Sequence, residues 1–310
     1  MQFISDHAGV LIGKLLENRA NRYYMSTSTP DFGQNGSFPQ VSVIVPTYNR
    51  ASLLKEALDS VLAQSYRNFE LIVVDDGSTD HTRRLLASYG DRITVLFQPN
   101  AGVGAARNLG IQAASGDLIA LLDSDDYWLP EKLAAQVAFF KATPQSLICQ
   151  TEEIWIRNGV RVNPKRRHRK LSGMIFQASL PLCLISPSAV MMRKSLLDEV
   201  GLFDEDMPAC EDYDLWLRIT WKYPVHLISV PLVVKRGGHA DQLSRLPELD
   251  KYRIRSITRM LLKGVLSKEE RQAACRVLEQ KCRIYAEGCY KRGRDDEADF
   301  YRAIARQFLP

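Results

Sequence analysis

Four short apolar runs, each followed by a polar cluster, constrain the fold of this chain more than any other feature. They are Val41-Ser42-Val43-Ile44-Val45, Leu71-Ile72-Val73-Val74, Ile93-Thr94-Val95-Leu96-Phe97 and Leu118-Ile119-Ala120-Leu121-Leu122, all of strand length. Between them, residues 52–64, 80–89 and 103–114 carry helical patterns. In the first, Leu53, Leu54, Ala57, Leu58, Val61 and Leu62 recur at helical spacing, with Ser52 as the expected cap. Strands that are apolar on both faces must be covered on both faces. The expected fold is therefore α/β, with a mostly parallel central sheet flanked by helices.

Further along, residues 130–142 form an amphipathic helix opening at Pro130, residues 147–162 read as strands, and 163–173 as a basic loop. Residues 187–245 mix short strands with a helix over 212–220, and the chain beyond Arg245 reads as helical and basic. At the other end, 1–24 has a weak amphipathic pattern and 25–39 is rich in Ser, Thr, Pro and Gly. The expected organisation is a leader and flexible linker over 1–39, a sheet domain over 40–245 with halves 40–130 and 131–245, and a C-terminal helical extension over 246–310.

Composition narrows the function classes. With 310 residues, 45% apolar and 25% charged, the chain can build a core without disulfides or a structural metal. A net charge of +5 is too small for a dedicated nucleic-acid binder. Six cysteines without a CxxC pair read as reduced thiols of a cytosolic protein. No run approaches the roughly 18 apolar residues of a membrane span, and Asp6 and His7 interrupt any secretory-signal pattern.

In a parallel sheet the polar clusters that follow the strands share one edge, where open α/β sheets bind ligands. The clusters are Pro46-Thr47-Tyr48-Asn49-Arg50, Asp75-Asp76-Gly77-Ser78-Thr79-Asp80, the stretch from Asn100 to Asn108, and Asp123-Ser124-Asp125-Asp126. Acids at spacing two suit Mg²⁺ or Mn²⁺, completed by substrate phosphates. The plain reading of DSDD is a turn cap, and its place beside the other clusters favours the metal. Asp75-Asp76-Gly77-Ser78 is either a turn alone or a carboxylate offered to a nucleobase N–H. Arg107 is either a solvated helix residue or a partner for a base or phosphate. Gly102-x-Gly104, with Asp123 19 residues beyond Gly104, partly mimics a dinucleotide fingerprint. Arg107 stands where that fingerprint needs a small residue, which argues against a dehydrogenase.

Taken together, VSVIVPTYNR (41–50), VVDDGSTD (73–80), NAGVGAARNLGIQAASGDLIALLDSDDYWLPEKL (100–133) and CEDYDLWLRI (210–219) resemble the family 2 glycosyltransferases. These are inverting sugar-nucleotide transferases of GT-A fold. The likeness spans roughly 41–220, and Gly238-His239 with Asp241 and Ser244 extends it. It implies a nucleotide-sugar-binding half (40–130) and an acceptor half (131–245). By resemblance, Pro46, Thr47, Tyr48 and Asn49 form the first nucleotide loop. Asp76, with Asp75, faces uracil, and Arg107 serves the base or phosphate. Asp123 and Ser124 lie at ribose and diphosphate, Asp125 is the metal ligand, His239 an additional one, and Asp212 the catalytic base. The implied reaction is metal-dependent transfer, with Mn²⁺ or Mg²⁺, from a nucleoside-diphosphate sugar, UDP being family-typical, to a hydroxyl. The acceptor would be a glycan or a lipid-linked molecule in cell-surface polysaccharide or glycoconjugate synthesis. The alternative is a non-catalytic nucleotide-sugar-binding protein on the same fold.

The chemistry agrees with these roles. A divalent ion neutralises the diphosphate leaving group, and a carboxylate on the opposite side of the sugar deprotonates the acceptor. Glu211-Asp212 also reads plainly as an acidic helix start. Lys165-Arg166-Arg167-His168-Arg169-Lys170 reads first as a solvated loop and second as a contact with an acidic acceptor or membrane surface. Nucleic acid is not an expected partner. Cys275, Cys282 and Cys289 fall on one helical stripe, and the following stretch loosely resembles one tetratricopeptide-type hairpin. The expected location is cytoplasmic, at the inner face of the membrane if the basic run makes that contact.

Overall fold

The computed structural model describes residues 41–238, 242–243 and 246–308. The leader and linker, and His239 with Asp241 and Ser244, lie outside the described residues. The described chain falls into two compact units, one running to Ala274 and one holding the chain from Cys275 onward.

The larger unit is built on one nine-stranded sheet in the order Thr94–Phe97, Phe69–Asp75, Val41–Thr47, Leu118–Leu121, Val190–Arg193, Ile148–Arg157, His226–Gly237, Tyr127–Trp128, with Val160–Val162 paired to Ile148–Arg157. Its first half is the repeating α/β pattern: β1 (Val41–Thr47), α1 (Ala51–Leu62), β2 (Phe69–Asp75), α2 (Thr82–Ala87), β3 (Thr94–Phe97), α3 (Val103–Ala113) and β4 (Leu118–Leu121). These four strands pair in parallel, so their carboxyl ends share an edge. All seven residues of β1 are buried. Val41, Val43 and Val45 pack with Leu54, Leu58 and Val61 of α1, while Ile44 faces Ala106 and Ile111 of α3 on the other side. That two-sided burial is why the strands lack polar alternation. Gly110 lets α3 lie close on the sheet, since a Cβ there would stand 2.5 Å from Ile44 Cγ2.

α1 begins at Ala51 rather than behind Ser52. Its opening N–H groups are served from the neighbouring loop: Ala51 N donates to Asp80 Oδ2 at 3.3 Å and Arg50 N to Thr82 Oγ1 at 3.2 Å. A cap from a distant residue leaves no local signal.

The second half adds β5 (Tyr127–Trp128), α4 (Lys132–Ala142), β6 (Ile148–Arg157), β7 (Val160–Val162), α5 (Phe176–Ser179), β8 (Val190–Arg193), α6 (Lys194–Val200), α7 (Glu211–Thr220) and β9 (His226–Gly237). β8 runs antiparallel between β4 and β6, and β6 pairs in parallel with β9 across a register shift at Glu152. The sheet as a whole is therefore mixed, its uniformly parallel part confined to the first half. Because β8 is antiparallel, the residues entering it, Ser186 and Ser188, lie at the same edge as the end of β4.

After β9, α8 (Leu249–Leu262) packs in the larger unit, where Arg255 and Arg259 pair with Asp204. α9 (Lys268–Tyr290) leads into the second unit, which ends with α10 (Asp295–Phe308). There Cys282 and Cys289 are fully buried, Cys275 is half-buried, and the Tyr285 and Tyr301 rings lie 4.4 Å apart. No helix among the described residues is long and apolar enough to cross a membrane.

Candidate active site

Register sets the first part of the site. Thr47, at the end of β1, lies beside Asp75 at the end of β2. Asp75 is buried; its Oδ1 accepts from Ser78 N at 2.9 Å and its Oδ2 lies 3.4 Å from Arg83 Nε. Asp76 is buried too. Its Oδ1 accepts from Gln98 Nε2 (2.6 Å) and Ala101 N (2.8 Å), and its Oδ2 from Gly102 N (2.9 Å). Those amides open α3, so the carboxylate sits where a helix N-terminus favours an anion. Asn49, in the left-handed region at φ +51°, turns its side chain to the loop after β2. Its Oδ1 accepts from Thr79 N (2.8 Å) and Asp80 N (3.2 Å). Pro46 lies inside β1 opposite Val74, Thr47 is buried, and Tyr48 is the exposed member of its loop.

α3 ties this edge to the other half. Arg107 is buried and donates to Asp123 Oδ1 at 2.7 Å and to Glu211 Oε1 at 2.5 Å, with Phe203 under its guanidinium at 5.1 Å. Burial works against its charge, but Asp123 and Glu211 outweigh it and raise its pKa. Gly104 permits the approach: a Cβ there would meet Asp204 O at 3.3 Å and Glu211 Cγ at 3.5 Å. Of the Gly-x-Gly that imitates a dinucleotide motif, Gly104 is a contact between the halves, whereas Gly102, at φ +93°, precedes α3 with open space where a Cβ would stand.

α7 starts at Glu211. Cys210 before it is in the left-handed region at φ +62°, a conformation that costs energy for a residue with a side chain. The acidic pair is thus both a helix start and a neighbour of the crevice. Burial pushes the Glu211 carboxyl up to about 7, with Arg107 pulling it down and the adjacent Asp212 charge adding to the rise. Asp212 Oδ2 lies 3.6 Å from Cys183 Sγ, whose one proton is shared between it and Ile185 O at 3.2 Å. Burial and the Asp212 charge push the Cys183 thiol well up, so it stays protonated.

Asp123, Asp125 and Asp126 each offer a carboxylate oxygen, all within 4.8 Å of one another, and Ser124 is buried between them. Asp126 is the innermost. It accepts from Ser188 Oγ (2.6 Å) and Arg236 N (2.9 Å), and burial with the Asp125 charge raises its pKa. Ser188 Oγ also accepts from Asp123 N at 3.1 Å. On β9, Lys235 donates to Ser186 Oγ at 3.3 Å. Burial opposes its charge, but Glu153, Asp126, Asp123 and Asp212 together raise its pKa. Glu153 pairs with Lys170 at 3.1 Å; burial would raise its pKa, yet Lys170 and Lys235 hold it at about 2.

One arrangement therefore gathers Asp123, Asp125, Asp126, Arg107 and Asp212, with Asp76 at the start of the helix that carries Arg107. Sequence reasoning had not assigned roles to Glu211, Asp126, Cys183 or Lys235. Glu211 and Asp126 were visible as neighbours of quoted acids. Lys235, beside Arg236 in a strand, had no signal. Trp128 and Trp216 are buried packing residues; Trp128 Nε1 donates to Ser188 O at 2.8 Å.

A sheet of this build, with an acid cluster beyond its parallel strands, is the GT-A architecture of glycosyltransferases. The profile described as Glycosyl transferase family 2 matches residues 42–201, and the chain belongs to that family. It is 35% identical over 226 residues to an uncharacterized glycosyltransferase of Rickettsia prowazekii, covering 71% of each chain. It is 36% identical over 181 residues, 58% of this chain and 69% of the relative, to the UDP-Glc:alpha-D-GlcNAc-diphosphoundecaprenol beta-1,3-glucosyltransferase of Escherichia coli. In fold it is similar to residues 1–349 of S. aureus TarS, crystallised with UDP-GlcNAc. The TM-score is 0.63 at 20% identity, over 87% of this chain and 91% of that one.

Proposed function

We propose that this glycosyltransferase moves a hexose from a UDP-sugar to a hydroxyl of a lipid-linked or polysaccharide acceptor, inverting the anomeric centre, on the cytoplasmic face of the membrane. The observation that carries the reading is the Asp123–Arg107–Glu211 bridge. It couples the acid cluster at the end of β4 to the start of α7, where Asp212 stands. A donor whose diphosphate lies at the cluster would have its sugar between the cluster and Asp212.

The donor set fits Mn²⁺ or Mg²⁺. It is all carboxylate oxygen, and its spread of 4.8 Å suits one shared ion. Asp126, committed to Ser188 and Arg236, is the poorest ligand of the three. Asp125 and Asp123 would hold the ion, with the donor's phosphates completing its shell; when bound, it neutralises charge on the leaving diphosphate. Whether His239 joins them is part of the proposal.

The chain's own groups supply the rest. Asp76, anchored on three donors, offers a fixed acceptor edge to uracil, with Asp75 and the Thr47–Asn49 loop around it. Arg107 holds Asp123 in place. Asp212 takes the acceptor proton as the hydroxyl attacks, and Cys183 and Lys235 hold and shield its charge. The UDP preference is supported by the E. coli relative and by the nucleotide in TarS. A thermal-shift panel of UDP-, GDP- and dTDP-sugars with and without Mn²⁺ tests the reading, because ligand binding to the native state must raise Tm. UDP-sugars should do so only with the metal; no response to any nucleotide sugar would refute it.

A further inference from the structure

The basic run singled out in the sequence is divided by the structure. Lys170 is buried against Glu153, whereas Lys165, Arg166, Arg167 and Arg169 are exposed. Arg157 and Arg161 join them from the β6–β7 hairpin, whose turn Asn158-Gly159 has φ +48° and +76°, the tight turn that matches strand twist. His168 lies edge-on to Trp155 at 5.3 Å, which ties the basic turn to the hairpin. Residues 157–169 contain no acid. Among the described residues none of these six cations stands in an ion pair. Six charges here exceed the net +5 of the whole chain, so the remainder is slightly acidic. At the hairpin tip Val160, 65% exposed, lies opposite Arg157 and next to Arg161.

Uncompensated like charges repel and weaken a compact state, so such a cluster gains only from an anionic counterpart. An apolar tip between two arginines suits a headgroup layer, where cations meet phosphates and a small apolar side chain can enter. Nucleic acid fits less well, because the one aromatic side chain here, Trp155, is packed on His168 and offers no stacking platform.

We propose that the β6–β7 hairpin and the basic turn after it dock the enzyme on an anionic lipid bilayer. The proposal rests on the transfer reading only for its purpose. β6 also carries Glu153, beside Lys235 and the acid cluster, and Arg157 lies four residues on, about 13 Å along a strand. An acceptor anchored in the bound bilayer would reach the site.

The test is co-sedimentation of the full chain with phosphatidylcholine vesicles, with and without phosphatidylglycerol, at low and high salt. Each Lys or Arg near such a surface strengthens binding by about fivefold. Binding is expected only with phosphatidylglycerol and is released by salt. R157Q/R161Q and R166Q/R167Q should each weaken it by about thirtyfold, with Tm and the nucleotide-sugar thermal shift unchanged. Equal binding to neutral vesicles, double variants that bind like wild type (as when residues 1–39 carry the contact), or preference for a duplex oligonucleotide would overturn it. Vesicle binding and the donor response are separate readouts, so either can fail without the other.

Discussion

The two halves of the sheet domain handle buried charge in opposite ways. In the first, up to β4, the buried strand residues are apolar apart from Ser42, Thr47 and the terminal Asp75, and the buried charges Asp75, Asp76 and Arg107 lie at the end of β2, just past it and on α3. In the second, charges sit on α4, β6 and β9 themselves. Lys132 is fully buried on α4 with its Nζ 3.8 Å from the Trp128 ring, Glu153 and Lys170 form an enclosed pair, and Lys235 is surrounded by carboxylates on β9. The first half is a scaffold that presents loops at its edge. The second trades stability for electrostatics inside its own packing, since buried ions rarely stabilise as much as apolar residues. The halves meet at Arg107.

That contrast can be broken at several places. The largest effect is expected at the meeting point. Arg107→Leu leaves Glu211 buried without its cation, and chemical denaturation should show a loss of about 3–5 kcal/mol. A loss no larger than that of an ordinary surface change would mean that the halves do not depend on the bridge. Next comes Lys132. Burial depresses its pKa to about 7, below the unfolded value of roughly 10.4. The unfolded state therefore binds the extra proton between these values, so stability rises with pH across that window and is lost as pH falls toward 7. The slope is on the order of 1 kcal/mol per pH unit. Lys132→Met should flatten it in urea titrations run from neutral to alkaline pH. An identical slope in the variant would show that Lys132 is already charged in the folded protein. Asp125→Ala should weaken Mn²⁺-dependent UDP-sugar binding by at least about tenfold in calorimetry, with the denaturation midpoint of the ligand-free protein unchanged. Smallest is Cys183→Ala, which removes a weak donor to Asp212. It should lower kcat by about threefold at constant KM, with Cys183→Ser restoring it.

The same contrast explains what could be read from the sequence. The first half was legible because each of its rules is local. Unbroken apolar runs mean buried parallel strands, and their polar ends must share an edge, which is where Asp75, Asp76 and Asp123 stand. The start of α1 escaped because its N–H groups bond to Asp80 and Thr82 across the fold. The second half was harder because burial of a charge leaves no periodic trace. Lys235 in Val-Val-Lys-Arg looks like a solvent-facing strand residue until Asp123, Asp126, Glu153 and Asp212 are placed around it. Cys183 gave no hint of Asp212, 29 residues on. The basic run looked uniform, yet Lys170 turned inward to Glu153 while its neighbours stayed in solvent.

The division of labour is tested most directly by Asp212→Asn, assayed for UDP-sugar affinity with Mn²⁺ and for transfer in the same preparation. The first half should still bind donor within about twofold of wild type, while transfer falls by roughly 10³-fold or more, the contribution of a general base. Transfer at wild-type rates, or donor affinity lost together with activity, would contradict the assignment of binding to one half and proton removal to the other.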